Sequence, residues 1–89
     1  MKRKELTLPN SPLMRGDSGL DVIRLQECLD NILKLKGKKK LQSIEPNHFG
    51  LATEAAVKAF QIQQFTIRTS GIYDKMTRAK LREAIGQCR

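Results

Sequence analysis

Few residues in this 89-residue chain could make or break a bond, and none has the company that such chemistry demands. Gly16-Asp17-Ser18-Gly19 invites a serine-nucleophile reading, but an activated serine needs a base and an orienting group fixed around it. The chain has one histidine, His48, and Ser18 has a better use as the start of a helix, so we expect no nucleophilic site. A zinc site takes three or four ligands, whereas His48, Cys28 and Cys88 are the whole soft-ligand inventory, at spacings that match no short metal motif. No glycine-rich phosphate loop and no carboxylate pair patterned for glycoside hydrolysis is present. Glu27 and Asp30 lie three apart on what reads as a wet helix side, where solvation and ion pairing account for them. We therefore expect no catalytic residue, no metal and no cofactor.

What remains is recognition without covalent change. The formal charge is +8, from 17 Lys and Arg against 9 Asp and Glu, which attracts polyanions: nucleic acid, acidic lipid or anionic wall polymers. The charge is densest where Lys34, Lys36, Lys38, Lys39 and Lys40 fall within seven residues, a run that is either a binding surface or simply solvated. Lys75, Arg78, Lys80 and Arg82 decorate the last helical stretch, so a basic helical nucleic-acid-binding domain is the alternative reading. Against it, the segment before that helix lacks the tight turn of a helix-turn-helix.

The elements that position these residues are helical. An aliphatic composition without Trp suits helix packing better than a sheet, and a chain of this length buries roughly 60% of its unfolded surface as one domain. Residues 1–12 read as an extended basic arm punctuated by Pro9 and Pro12, with Leu6, Leu8, Leu13 and Met14 available to pack, and residues 13–89 as the folded domain. A first helix is predicted from near Ser18, with Ser18 and Asp21 as a capping box, to about Lys36, with Gly37 as its left-handed stop. Val22, Leu25, Leu29, Ile32 and Leu33 form its apolar face, and residues 37–48 follow as a loop. A second helix is predicted from Gly50 to about Phe65, turning Ala55, Ala56, Val57, Ala59 and Phe60 inward. A third begins after Asp74 as N-cap, packs Met76, Leu81, Ala84 and Ile85, and closes at Gly86. Gly50-x-x-Thr53 and Asp74-x-x-Thr77 echo one another as a helix entrance used twice. Cys28 and Cys88 read as unpaired thiols, Cys28 at a core face, although one bridge between them is geometrically open. The sequence thus gives an all-α fold, a small three-helix bundle.

Three blocks carry a resemblance: Arg15-Gly16-Asp17-Ser18-Gly19-x-Asp21-Val22-x-x-Leu25-Gln26, Phe49-Gly50-x-x-Thr53-x-x-Ala56-Val57-x-x-Phe60-Gln61, and Gly71-x-x-Asp74-x-x-Thr77-x-x-x-Leu81. In this order and spacing they resemble the first type of peptidoglycan-binding domain, a three-helix module of bacterial and phage wall hydrolases. Three features depart from it: Phe65-Thr66-Ile67 replaces the usual Gly-Leu after the second helix, the lysine-rich loop is longer and more basic than the family's usual turn, and Asn47-His48 stands where Asp-Gly is common. The resemblance implies non-catalytic binding of peptidoglycan or an associated anionic wall polymer, targeting a partner hydrolase or wall protein, with a catalytic domain in a larger chain as a further partner. It suggests Arg15, Lys38, Lys39 and Lys40 for anionic groups, with Gln26, Gln61 and Tyr73 for amide or sugar contacts. An inhibitory prodomain of the metalloproteinase kind shares the fold, but Gln87-Cys88-Arg89 lacks the flanking pattern that role needs. Met1-Lys2-Arg3-Lys4 leads into Glu5, Thr7, Pro9 and Asn10 rather than an apolar run, so we expect neither signal peptide nor membrane span. The expected chain is cytoplasmic at synthesis and reaches the wall or periplasm through a parent chain or a phage lysis system.

Overall fold

The structure, a computed structural model, describes residues 8–64 and 68–87. Its first helix, α1, spans Leu20–Ile32, because Val22, Leu25 and Leu29 recur at helical spacing and are all fully buried. Ser18 does not cap it. The N-cap is Gly19, which has no side chain to cap with; its own amide donates to Asn47 Oδ1 (2.8 Å), 28 residues away, and the expected Ser18–Asp21 box does not form. The preceding Arg15-Gly16-Asp17 is a turn: the Met14 amide donates to Asp17 Oδ2 (2.9 Å) and the Asp17 amide to the Met14 carbonyl (3.0 Å).

The end of α1 also differs from expectation. Lys34, at φ 59°, supplies the left-handed residue, with the Leu35 amide on the Asp30 carbonyl (2.9 Å) and the Lys34 amide on that of Asn31 (3.3 Å). This is a Schellman stop, three residues earlier than Gly37. It wins because Leu35 packs against the core, the hydrophobic contact that accompanies the motif. The expected loop then proves to be structured, with a 3₁₀ turn at Gly37–Lys39 and a short helix, α2, at Leu41–Ile44. Leu41 is buried and anchors this segment to the core, while Ile44 is exposed.

The third helix, α3, runs Leu51–Gln63, and the fourth, α4, Lys75–Gln87, carrying Gly86 inside it rather than beyond its end. The all-α fold is thus as the sequence indicated, three long helices with a fourth short one and no strand among the described residues. The buried face of α3 is Thr53, Ala56, Val57, Phe60 and Gln61; Ala55 and Ala59 lie on the opposite side and are exposed. On α4, Leu81 is buried, but Met76 is 56% exposed. Leu13, Val22, Leu25, Leu29, Leu41, Phe49, Val57, Phe60, Tyr73 and Leu81 form one core, around which α1 contacts α2, α3 and α4.

Two isolated antiparallel bridges replace a sheet. Leu13 and Tyr73 exchange backbone bonds of 2.9 and 2.8 Å, and Ser18 faces His48, with the Phe49 amide on the Asp17 carbonyl (2.9 Å). Within the stretch read as an arm, Leu8 packs on the core and Pro9 is buried, whereas Met14 is 51% exposed. Leu6, the helix end at Phe65-Thr66-Ile67 and Cys88 with its question of pairing lie outside the described residues.

Candidate functional site

Two glutamines cross the interior, one from each of the first two long helices. Gln26 of α1 is fully buried, and its Nε2 donates to the carbonyls of Glu45 (2.8 Å) and His48 (3.0 Å) and to Thr53 Oγ1 (3.0 Å). Two carbonyl acceptors fix which end of the amide is nitrogen. Gln61 of α3, 1% exposed, does the same one step on: Nε2 donates to the Ile72 carbonyl (3.0 Å) and Thr77 Oγ1 (2.8 Å), and Oε1 accepts from the Gly71 amide (2.8 Å). Each amide holds a loop onto the helix that the loop leads into.

The start of α3 depends on a residue that sequence reasoning missed. Glu45 Oε1 accepts from the amides of Gly50 (3.1 Å) and Thr53 (2.8 Å) and from Thr53 Oγ1 (2.8 Å), while Oε2 accepts from Ala52 (2.8 Å). Burial opposes the charge on Glu45, but these amides and the hydroxyl together outweigh it and hold its carboxyl below the usual glutamate range. A Cβ at Gly50 would collide with the Glu45 carboxylate, lying 2.8 Å from its Cδ, which is why this N-cap is glycine. The available signal was the glycine itself: an N-cap without a side chain leaves helix amides that some other group must take.

Tyr73 is 1% exposed, its hydroxyl donates to the Pro9 carbonyl (2.6 Å), and burial pushes its phenol up to about 12. Gln26, Gln61 and Tyr73 are therefore interior side chains with internal partners. Arg15 and Lys38, Lys39 and Lys40 are exposed. Arg15 pairs with Glu54 (3.7 Å), and Lys38 and Lys39 ride on the 3₁₀ turn. Of the basic residues on α4, Arg78 donates to Asn10 Oδ1 (2.8 Å) and Lys80 pairs with Glu83 (3.9 Å).

Asp30 corrects the reading of α1's wet side. It is 5% exposed, and its Oδ1 accepts from the Leu41 amide (2.7 Å), which fixes α2 to α1; burial raises its carboxyl, and that amide works against the rise. Sequence periodicity missed it because its partner amide is 11 residues away. Asp30 lines a hollow of about 370 Å³ between the end of α1 and the start of α2, with Glu27, Lys34, Lys36, Lys40 and Gln42 among its walls.

The remaining chemistry-bearing residues do not converge. Ser18 and His48 are exposed and meet through their backbones, Cys28 is buried with its thiol pushed up to about 12 by desolvation, and no group of three or more His, Cys, Asp or Glu among the described residues could hold a metal ion. No helix among them is long and apolar enough to cross a membrane. The family model described as "Putative peptidoglycan binding domain" matches residues 18–81, a span that contains both glutamine crossings. No curated protein matches the chain.

Proposed function

Because the chain belongs to the peptidoglycan-binding domain family, we propose that it is a non-catalytic module that holds a partner hydrolase or wall-associated protein at the bacterial cell wall. The family match carries this reading, since it covers α1, α2, α3, the start of α4, the Lys-rich segment and both buried crossings. The distribution of the candidate residues supports it: Gln26 and Gln61 are committed inside, and Arg15, Lys38, Lys39 and Lys40 are left exposed and cationic. Arg15, Lys38, Lys39 and Lys40 then meet the carboxylates and phosphates of the wall, and Gln26, Gln61 and Tyr73 shape the surface from within. A parent chain or a phage lysis system delivers the module to the wall, where attachment raises the local concentration of its partner at the polymer.

The test is co-sedimentation of the purified chain with isolated sacculi, with a lysis assay alongside. The chain should pellet with sacculi and leave them intact. If it stays in the supernatant at low salt while binding duplex DNA with a steep salt slope, it is a nucleic-acid-binding domain instead. Changing Lys38, Lys39 and Lys40 together to Ser should weaken retention mainly at low ionic strength, because exposed charge is screened beyond about 8–10 Å at physiological salt.

A further inference from the structure

The face of α3 that points away from the core is itself apolar. Thr53, Ala56, Val57, Phe60 and Gln61 take the core side. Opposite them, Leu51 (66% exposed), Ala55, Ala59 and Ile62 (60% exposed) recur at helical spacing and form a stripe along almost the whole helix. A large side chain stands near each end of the stripe, the two separated by about 16 Å of helix rise, with the alanines between them. A second helix can approach closest where the contact residues are small. Glu54 and Lys58 border the stripe along one edge, both beside Gly71, where an added Cβ would lie 2.9 Å from Glu54 Cγ and from Lys58 Cε.

The stripe is complementary to itself. In an antiparallel pair of identical helices a two-fold axis sets one residue against a second and, on the other side of the axis, the second against the first. Leu51 with Ile62, Ala55 with Ala59, and Glu54 with Lys58 have their midpoints between Ala56 and Val57, at Val57, and at Ala56. One axis therefore serves all three pairs to within about 1.5 Å, the rise of one residue. The edges agree as well: at about 100° per residue Glu54 and Lys58 fall on one side of the stripe and Ala55 and Ala59 on the other, and the axis brings like sides together. Large meets large, small meets small, and acid meets base. Glu54 pairs with Arg15 within the chain (3.7 Å), and its side chain, 24% exposed, keeps a side open to Lys58 of a second copy.

We propose that two copies of this chain pair antiparallel through α3, Leu51 of each against Ile62 of the other. One helix face buries less than the roughly 1,200 Å² of a standard stable interface, and the charge of +8 on each copy opposes approach. The pair is therefore a weak one that forms where the chain is concentrated, and it offers a polymer two attachment points in place of one. The pairing does not rest on the wall-binding reading, and its test uses no wall polymer.

The experiment is sedimentation equilibrium of the full chain, kept reduced so that the cysteines cannot link copies, from about 10 μM to about 1 mM. A dimer with a dissociation constant of about 0.1–1 mM is expected, tightening about threefold or more between about 0.05 M and about 0.5 M salt as the repulsion between like net charges is screened. Leu51→Ser with Ile62→Ser should weaken pairing about tenfold or more while the unfolding midpoint holds, since both side chains are exposed. Glu54→Lys and Lys58→Glu should each pair less well alone. The two variants mixed should associate more tightly than either, because each then offers the charge that the other lacks. A chain that stays monomeric at the highest concentration and salt, association untouched by the serine pair, or a mixture no tighter than its components overturns the proposal. A parallel arm pellets the chain with vesicles of anionic phospholipid: co-pelleting that the serine pair removes, without self-association, gives the face to a lipid surface and overturns it as well.

Discussion

The two helix entrances of this domain use one device in two forms. At each, a buried glutamine from the preceding long helix donates to a loop carbonyl and to a threonine hydroxyl in the first turn of the next helix: Gln26 to Thr53, Gln61 to Thr77. They differ in where the cap comes from. At α4 it is local, with the Thr77 amide on Asp74 Oδ1 (3.0 Å). At α3 it is remote, with Glu45 reaching over a glycine to four donors. The separation within the glutamine–threonine pairs is 27 residues in the first and 16 in the second, so the first carries eleven more. The 3₁₀ turn, α2 and the lysines at 38–40 all lie in that longer connection. The longer connection is the one that carries the remote cap at Glu45 and several of the residues that line the charged hollow. The buried polar crossings and the exposed lysines are therefore distinct sets of residues.

If the glutamines are equivalent, replacing either by the similar-sized Leu leaves loop carbonyls and a hydroxyl unpaired, and each variant should lose about 3 kcal/mol in denaturant unfolding. Gln61→Leu should cost more, since both ends of Gln61 are bonded whereas Gln26 Oε1 has no partner among the described residues. A larger loss for Gln26→Leu would show that its unbonded Oε1 does not weaken the first crossing.

The caps are sharpened by a swap. Gly50→Ala should cost about 2 kcal/mol by displacing the Glu45 carboxylate, and little further in a chain already carrying Glu45→Ala, because the two act through one contact. Full additivity of the two losses would show that they do not act through one contact. Gly50→Asp placed on Glu45→Ala transplants the α4 form and should recover stability; no recovery would show that the remote and local caps are not interchangeable. Asp74→Ala should cost about 1 kcal/mol, the ordinary value of a local N-cap, and less than Glu45→Ala.

The smallest expected effect is on pH dependence. Because the folded-state pKa of Glu45 is depressed, its contribution is present above the ordinary glutamate value of 4.5 and is lost as pH falls through the folded value. Asp30, whose pKa is raised, acts in the opposite sense: its contribution is present below the ordinary aspartate value of 3.8 and is lost as pH rises through the folded one. Glu45→Gln should flatten acid destabilisation by less than about 1 kcal/mol, since the carboxylate is partly solvated. An unchanged acid limb would assign the loss to other carboxylates.

The sequence by itself determined the helical class, the apolar faces centred on Val22, Leu25, Leu29, Val57, Phe60 and Leu81, and the local cap at Asp74. These are fixed by periodicity and by residues within one turn of each other, and a single chain displays both. It also marked Gly50 and Thr53 as a helix start, and the family blocks as a unit. Only the tertiary structure decided which polar residues are interior. Gln26, Asp30 and Glu45 look alike in sequence to solvated helix or loop positions, and their burial depends on amides, carbonyls and hydroxyls that approach from 5 to 27 residues away. A polar group enters a core only where such a partner waits for it, and which partner waits is set by how the helices pack.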